Sequence, residues 1–244
     1  MKKYRTIFIG NRPLILSSLL KNPQIELVHA FVIEGSLIHK EQCAGVPFTV
    51  CGPNDVEIVL DFLRMGHYEI CASAGCPYIL PVSSLPPDKV LINSHPSALP
   101  FGKGIHPINE CILSGHNKAG STLHYLSDEL DAGDIIHQVT FDVTGDIDLE
   151  LLYSFIFEVE REVFDEGLGK VLFADLKYKG TPQIGDGTYY SRKPDDQNAD
   201  VFSIGTKDFL KKVRAFSSYS LGVHITLGEK KIDVFMASLL FNEY

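Results

Sequence analysis

Short runs of consecutive apolar residues recur along the first part of the chain and are separated by stretches with apolar residues at helical spacing. Strands that are apolar along their whole length and alternate with helices are typical of a parallel sheet covered on both faces. The pattern therefore predicts an α/β fold with a mostly parallel sheet flanked by helices. The predicted strands are residues 5–10, 25–33, 48–50, 70–73 and 90–93. One helix is predicted to begin at Pro13, and helical stretches are also predicted at 55–65 and 83–85.

The pattern changes after residue 120. Residues 122–126 and 135–143 alternate between apolar and polar positions, which predicts two added strands near one edge of the sheet. Residues 149–174 form a long helical stretch, which we expect to be broken near Gly167 or Gly169 because glycine weakens a helix interior.

A second change follows Leu176, where turn-forming glycines, prolines and aspartates become frequent. A helix at 206–216 and two strands at 223–227 and 231–236 are predicted in this last part. We therefore expect a large domain over residues 1–176 and a small C-terminal α+β module over residues 177–244.

The composition narrows the function classes. The 244 residues include 22 Lys and Arg against 31 Asp and Glu, a formal net charge of -9 that disfavours nucleic-acid binding. No apolar run reaches the roughly 20 residues of a membrane span, and no signal peptide is recognisable. The five cysteines show no Cys-x-x-Cys spacing, which suits a reducing compartment and no zinc site. We expect a cytoplasmic protein without a membrane partner.

The densest candidate chemistry begins where the strand at 90–93 ends. Asn93 and His95 are two residues apart and enter a loop that prolines and glycines stiffen. Residues at this spacing share one face of a strand, and ligands bind at the carboxyl ends of strands in open α/β sheets. An amide donor and an imidazole could therefore converge on one bound atom. Taken alone, the pair is equally compatible with a turn-capping Asn and an incidental His.

A second candidate is Asp131, which stands directly before an Ala-Gly pair that opens the strand at 135–143. Taken alone, Asp before such a turn is more typical of turn chemistry than of catalysis.

The two stretches together resemble the 10-formyltetrahydrofolate-dependent formyltransferase family, whose signature is an Asn-x-His-x-Ser-x-x-Pro loop followed by an Asp-x-Gly turn. The resemblance covers residues 7–175, and Ala98 departs from the family's commoner Leu. It implies a Rossmann-like formyltransferase fold, N10-formyltetrahydrofolate as the formyl donor, and a catalytic trio of Asn93, His95 and Asp131. Asn93 would stabilise an oxyanion, His95 would transfer a proton, and Asp131 would orient the imidazole without a metal.

The resemblance also implies a folate pocket made of two loops, one after the strand at 70–73 and one before Asp131. The expected folate-binding residues are Gly75, Pro77, Tyr78, Ile79, Leu80, Ser127, Asp128, Glu129 and Leu130.

For the formyl acceptor, the length and tail most resemble sugar N-formyltransferases that act on nucleotide-linked amino sugars, such as thymidine-linked sugars for surface polysaccharide (O-antigen) synthesis. Glycinamide ribonucleotide formyltransferase and formyltetrahydrofolate hydrolase remain as alternatives, whereas the charge disfavours a tRNA acceptor.

Residues 187–194 and 211–219 resemble segments that supply aromatic rings and cations to a nucleotide, although the cations could form a solvated face. The hairpin at 223–236 leaves an edge that suggests a homodimer. The candidate acceptor-binding residues are Gly10, Asn11, Arg12, Lys103, Tyr189, Tyr190, Arg192 and Tyr219.

Overall fold

A computed structural model describes residues 2–218 and 222–235. The strands are β1 (Tyr4–Gly10), β2 (Ile25–Ile33), β3 (Phe48–Cys51), β4 (Ile70–Ala74), β5 (Val90–His95), β6 (Lys103–Ile105), β7 (Lys118–Tyr125), β8 (Ile135–Asp142), β9 (Tyr189–Ser191), β10 (Asn198–Ala199), β11 (Val223–Leu227) and β12 (Lys230–Val234). The α-helices are α1 (Pro13–Lys21), α2 (Val56–Met65), α3 (Pro107–Ser114), α4 (Leu149–Phe173) and α5 (Thr206–Phe216), and short 3-10 turns lie at Lys40–Cys43, Val82–Ser84 and Pro194–Gln197.

The main sheet has seven strands in the order β3-β2-β1-β4-β5-β7-β8. The five strands from β3 to β5 are parallel, β7 is antiparallel to β5, and β8 is antiparallel to β7. This arrangement confirms the predicted mostly parallel α/β sheet with two added strands at one edge.

Helices cover the sheet on both faces, as the continuous apolar strands predicted. Phe8 of β1 packs in one core cluster with residues of α1 and α4, among them Leu16 and Phe164. Ile7 and Ile9 lie in a second cluster with residues of α2. Because successive side chains of a strand point to opposite faces, β1 contributes to both layers and is buried along most of its length.

The expected break in the long helix is wrong, because α4 continues without interruption through both glycines. Asp148 caps its first turn by accepting a hydrogen bond from the backbone N–H of Leu151 at 2.9 Å. A Cβ atom placed on Gly167 would lie 2.5 Å from a methyl group of Leu123 on β7. Gly167 therefore allows α4 to approach the sheet closely, and the packing outweighs glycine's weak helix propensity.

The last part of the chain forms a small sheet in the order β10-β11-β12, with α5 beside it. Val213 and Phe216 of α5 are buried in a third core cluster together with Ile108 of α3 and Leu152 of α4. The module thus shares a core with the larger domain. The predicted strand at 231–236 corresponds to β12, and Met236 lies outside the described residues.

Pairing between β6 and β9 was not predicted. Lys103 pairs with Tyr189 in this two-stranded sheet, which joins the loop after β5 to the segment before the module. All five cysteines are free, and none of the helices in the described part of the chain is long and apolar enough to cross a membrane.

Candidate active site

Asn93 and His95 lie at the carboxyl end of β5, where the sheet changes from parallel to antiparallel. Asn93 is opposite Ser73 of β4 on one side and opposite His124 of β7 on the other. The loop after β5 is held to β7 by Thr122, whose hydroxyl donates to the carbonyl of Ser97 at 2.7 Å. The predicted loop therefore begins at a fixed position in the middle of the sheet.

His95 has a defined tautomer. Its Nε2 atom lies 2.8 Å from the carbonyl oxygen of Gly102, and because a carbonyl only accepts, Nε2 carries the hydrogen. The other ring nitrogen, Nδ1, lies 3.6 Å from Oδ2 of Asp131. Burial lowers the pKa of His95, and the Asp131 carboxylate and the Gly102 carbonyl oppose that shift only in part. His95 is therefore neutral near pH 7 and presents a basic Nδ1 to the carboxylate.

Asp131 is held in the left-handed backbone region with φ of 51°. Its Oδ2 atom accepts a hydrogen bond from the backbone N–H of Gly104 at 2.9 Å. The Gln183 side chain donates to the carbonyl oxygens of Asp131 and Gly133 at 2.8 and 2.9 Å. Burial pushes the pKa of Asp131 upward, but the imidazoles of His95 and His124 and the Gly104 N–H outweigh burial and lower it to about 2. Asp131 is therefore ionised throughout the physiological range.

His124 joins the other polar groups. Its Nδ1 atom donates to the carbonyl of Tyr125 at 2.8 Å, and in this tautomer Nε2 accepts from Nδ2 of Asn93 at 3.2 Å. The same Nε2 atom lies 3.6 Å from Oδ1 of Asp131. The contact fixes the orientation of the Asn93 amide, with its nitrogen towards His124.

One cavity of about 220 Å³ contains all three predicted catalytic residues. Its inner side, which we call the buried wall, consists of Asn93, His95 and Asp131, and His95 and Asp131 are only 6% and 8% exposed. Its outer side, which we call the exposed wall, consists of Ile79, Ile105 and Tyr189, which are 64%, 54% and 63% exposed.

The predicted folate-binding residues divide into two sets. Gly75, Pro77, Tyr78, Ile79 and Leu130 line the cavity. Leu80 instead packs in the core cluster beneath α2, and three residues of the second loop do not line the cavity. In that loop the Ser127 hydroxyl donates to the carbonyl of Glu129 at 2.7 Å, and the Asp128 carboxylate accepts from the N–H of Ser83 at 3.0 Å. These contacts shape the loop that carries Leu130.

Among the predicted acceptor-binding residues, Arg12 and Tyr189 line the cavity. The Arg12 guanidinium forms a salt bridge with the buried Glu160, with Nε and Oε2 3.1 Å apart, and lies 4.4 Å from the ring centre of Phe157. Its charge is therefore already balanced. The N–H of Asn11 is also engaged, since it donates to the carbonyl of Ala74 at 3.0 Å.

The remaining predicted acceptor residues lie elsewhere. Gly10 ends β1, and Lys103 belongs to β6 without lining the cavity. The Tyr190 hydroxyl donates to Asp196 at 3.1 Å, and Arg192 follows β9 outside the cavity lining. Tyr219 lies outside the described residues.

Sequence reasoning missed the backbone groups that hold the buried wall. Gly102 and Gly104 supply the carbonyl and the N–H that contact His95 and Asp131, and the segment at 188–191 holds both glycines in place. A Cβ atom on Gly104, whose φ is 96°, would lie 2.6 Å from the Tyr190 carbonyl oxygen. The Gly-Lys-Gly pattern was the available signal. Nothing in the local sequence marked Gln183 or Glu160.

Within residues 2–218 and 222–235, no group of three or more His, Cys, Asp or Glu side chains could hold a metal ion. The polar side chains that line the catalytic cavity include the amide of Asn93, the imidazole of His95 and the carboxylate of Asp131.

Comparisons with known proteins concern the domain and the fold that hold this cavity. Residues 53–168 match the model of the formyl transferase family. The chain contains a formyl transferase domain. The match to this domain includes Asn93, His95 and Asp131, and the surrounding fold resembles a solved sugar N-formyltransferase from Shewanella at a TM-score of 0.76. That likeness covers 97% of this chain and 98% of the other, at 19% identity, and concerns the fold alone.

Two further relatives bear on the formyl transferase domain. A methionyl-tRNA formyltransferase from Coprothermobacter proteolyticus is 31% identical over 185 residues, which are 74% of this chain. The chain spans 54% of the length of that relative. A structure of HypX from Aquifex aeolicus in complex with tetrahydrofolic acid has a TM-score of 0.68 and 20% identity, covering 96% of this chain and 38% of HypX.

Proposed function

We propose that this protein transfers a formyl group from N10-formyltetrahydrofolate to the amino group of a nucleotide-linked amino sugar. The observation that carries the proposal is the convergence of Asn93, His95 and Asp131 in one cavity. An amide donor, a neutral imidazole and an ionised carboxylate are the groups that amine acylation requires.

The cavity has a suitable place for the folate. Pro77, Tyr78, Ile79 and Leu130 line it, and in this proposal their apolar surfaces contact the flat face of a pterin ring. Backbone groups of the Gly75 loop would meet the polar edge of that ring. The HypX complex supports a folate ligand on this fold.

Bound N10-formyltetrahydrofolate supplies the formyl carbon, which forms a bond to the acceptor amine while its bond to N10 breaks and N10 takes up a proton. His95 accepts the proton of the attacking amine at Nδ1, because Nε2 already donates to Gly102. The imidazolium that results is stabilised by the Asp131 carboxylate 3.6 Å away. His95 then returns this proton towards the leaving nitrogen.

Asn93 is the donor for the developing oxyanion. One hydrogen of its Nδ2 atom is directed at His124, which leaves the second hydrogen for the substrate oxygen. A donor fixed in advance stabilises the transition state without the cost of reorienting during the reaction. His124 is thus a positioning residue for Asn93 in this proposal.

We place the acceptor at the Ile105 and Tyr189 side of the exposed wall. Tyr189 lies at the mouth of the cavity and is 63% exposed, so one face of its ring is free to stack on a nucleobase. The resemblance in fold to a sugar N-formyltransferase supports a nucleotide sugar, for which we propose thymidine linkage and a role in surface polysaccharide synthesis.

The assembly and location remain part of the same proposal. We propose a cytoplasmic homodimer in which the exposed strand β12 is covered by a second copy. Within residues 2–218 and 222–235, β12 is the last strand of its sheet, and Lys231, Ile232 and Asp233 are exposed. An unpaired strand edge favours such pairing.

A second candidate function is formyl transfer to methionyl-tRNA, which the identity of 31% to a methionyl-tRNA formyltransferase favours. The net charge of -9 opposes it, because tRNA binding needs a compensating basic surface. We therefore rank the nucleotide sugar first.

An acceptor panel tests the proposal. The purified protein is incubated with N10-formyltetrahydrofolate and, in separate reactions, thymidine-linked and guanosine-linked amino sugars, glycinamide ribonucleotide, methionyl-tRNA, or no amine. We expect one sugar to gain the mass of a single formyl group. Transfer to methionyl-tRNA or glycinamide ribonucleotide alone would contradict the sugar assignment, and folate turnover without amine would indicate a hydrolase.

The matched control is Asp131→Asn, which removes the carboxylate charge while keeping the side chain's size. We expect this variant to bind a folate analogue and to form little product. Equal product from the variant would show that the reaction does not use the cavity we describe.

A further inference from the structure

A second cavity, of about 270 Å³, lies between α3, α5 and the loop that follows β8. We call it the α5 cavity. Lys211 and Arg214 line it from α5, His116 from the end of α3, and Ile112 and Thr144 from the other sides. None of its lining residues lines the catalytic cavity. It therefore needs an explanation of its own.

The charge of the α5 cavity is opposite to that of the chain. Lys211 and Arg214 are three positions apart on α5, so their side chains lie on the same face of the helix. No acidic residue lines the cavity, although the sequence has a net charge of -9. Among the residues that the structure describes, no carboxylate forms a salt bridge with either cation.

Arg214 carries the stronger evidence. Its Nε atom is buried and has no hydrogen-bond partner among the described residues. Because Arg214 lines the cavity, an anion bound there would offset a positive charge that no carboxylate of the described residues pairs with. Lys211 alone would not indicate a site, because a cation near the C-terminal end of α3 also offsets the helix dipole.

The two acidic residues near the α5 cavity, Glu110 and Asp146, do not form salt bridges with Lys211 or Arg214. Glu110 contacts the hydroxyl of Ser114 at 3.0 Å and Nε2 of His116 at 3.3 Å, and it does not line the cavity. The pKa of Asp146 is lowered mainly by a hydrogen bond with Thr144 and only weakly by Arg214, and its side chain does not line the cavity.

We propose that the α5 cavity binds a small organic anion, a phosphate monoester or a carboxylate attached to an apolar body. Lys211 and Arg214 would hold the anionic group through charge-assisted hydrogen bonds. Ile112, Val143 and Leu152 line the rest of the cavity and would contact the apolar part of the ligand.

The site is separate from the catalytic cavity. Pro107, the first residue of α3, lines the catalytic cavity, whereas Ile112 near its other end lines the α5 cavity. The eight residues of α3 span roughly 12 Å. Binding at α5 can therefore be measured without formyl transfer, and its failure would leave the proposed activity untouched.

The test is calorimetric titration of the full chain with phenyl phosphate, benzoate and uncharged benzyl alcohol. We expect one anion to bind and the alcohol to show no binding, and the preferred anion identifies the head group. Lys211→Gln and Arg214→Gln should each weaken binding at least about tenfold, the order expected for a lost charge-assisted hydrogen bond. Lys207→Gln is the matched control, an exposed lysine of α5 that does not line the cavity, and its affinity should be unchanged.

Other outcomes overturn the proposal. Failure of both anions to bind would do so, as would equal weakening by Lys207→Gln, which would indicate a general effect of charge. Binding lost in Arg12→Gln but kept in the α5 variants would assign the anion to the catalytic cavity. Arg214→Lys keeps the charge and should retain part of the affinity, and melting curves confirm that each variant is folded.

Discussion

The two walls of the catalytic cavity are built in opposite ways. The buried wall is polar, His95 and Asp131 in it are nearly closed to solvent, and each of its side chains is oriented by at least one neighbouring polar group. The exposed wall is apolar or aromatic, and each of its three members is more than half exposed. A group that must meet a reacting atom within a narrow angle needs such support, whereas a surface that stacks or packs on a ligand tolerates freedom.

This contrast separates chemistry from recognition. We expect changes in the buried wall to reduce turnover with little effect on substrate binding. Changes in the exposed wall should weaken the binding of the folate or the acceptor and leave the chemical step nearly intact. The following variants test this division.

The largest expected effect is that of His95→Asn and Asp131→Asn. Each should lower turnover by at least about two orders of magnitude, because proton transfer by a positioned group contributes on that scale. Steady-state kinetics with the acceptor found in the panel gives the measurement, and melting temperatures give the control for folding. Near-native rates in either variant would remove the proposed mechanism.

Asn93→Ala should cost roughly 3 kcal/mol in the chemical step, since an oxyanion donor acts most strongly in the transition state. The KM values for both substrates should stay close to those of the unchanged protein. If the loss appeared only in the KM for the folate, Asn93 would belong to recognition and the contrast between the walls would be wrong.

Tyr189→Ala should weaken acceptor binding by about 1–3 kcal/mol, the range found when an aromatic ring that stacks on a base is removed. Tyr190→Phe is the matched control, because Tyr190 is the next residue of β9 and its hydroxyl contacts Asp196. Calorimetric titration with the nucleotide sugar should show weaker binding for Tyr189→Ala than for Tyr190→Phe. Unchanged affinity in Tyr189→Ala would exclude stacking at this position.

The smallest effect is a shift in the pH dependence of kcat/KM. Burial lowers the pKa of His95 below 6.5, so the base stays neutral and activity is lost only as the pH falls below that value. The Asp131 carboxylate raises this pKa, so the residual activity of Asp131→Asn should persist to still lower pH. If the acidic limb of the kcat/KM profile moved to higher pH in Asp131→Asn, the pairing of His95 with Asp131 would be contradicted.

The strands, their parallel order and the position of the Asn93 loop could be predicted from the sequence. These features depend on local apolar runs and on the rule that ligands bind where strands end. The continuity of α4 could not be predicted, because glycine has a low helix propensity. Only the close contact with Leu123 explains why a glycine stands at position 167. The pairing of β6 with β9 was equally hidden, since three-residue strands carry almost no periodic signal.

The chemistry available to the chain can be read from its residue types, because those at 93, 95 and 131 set the donors, bases and charges. How those groups act depends on the fold. The tautomer of His95 follows from a carbonyl in the next loop, and the ionisation of Asp131 follows from an N–H of β6 and two imidazoles. Protonation and orientation depend on atoms that are distant along the chain and within a few ångströms in space, and only the folded arrangement fixes those distances.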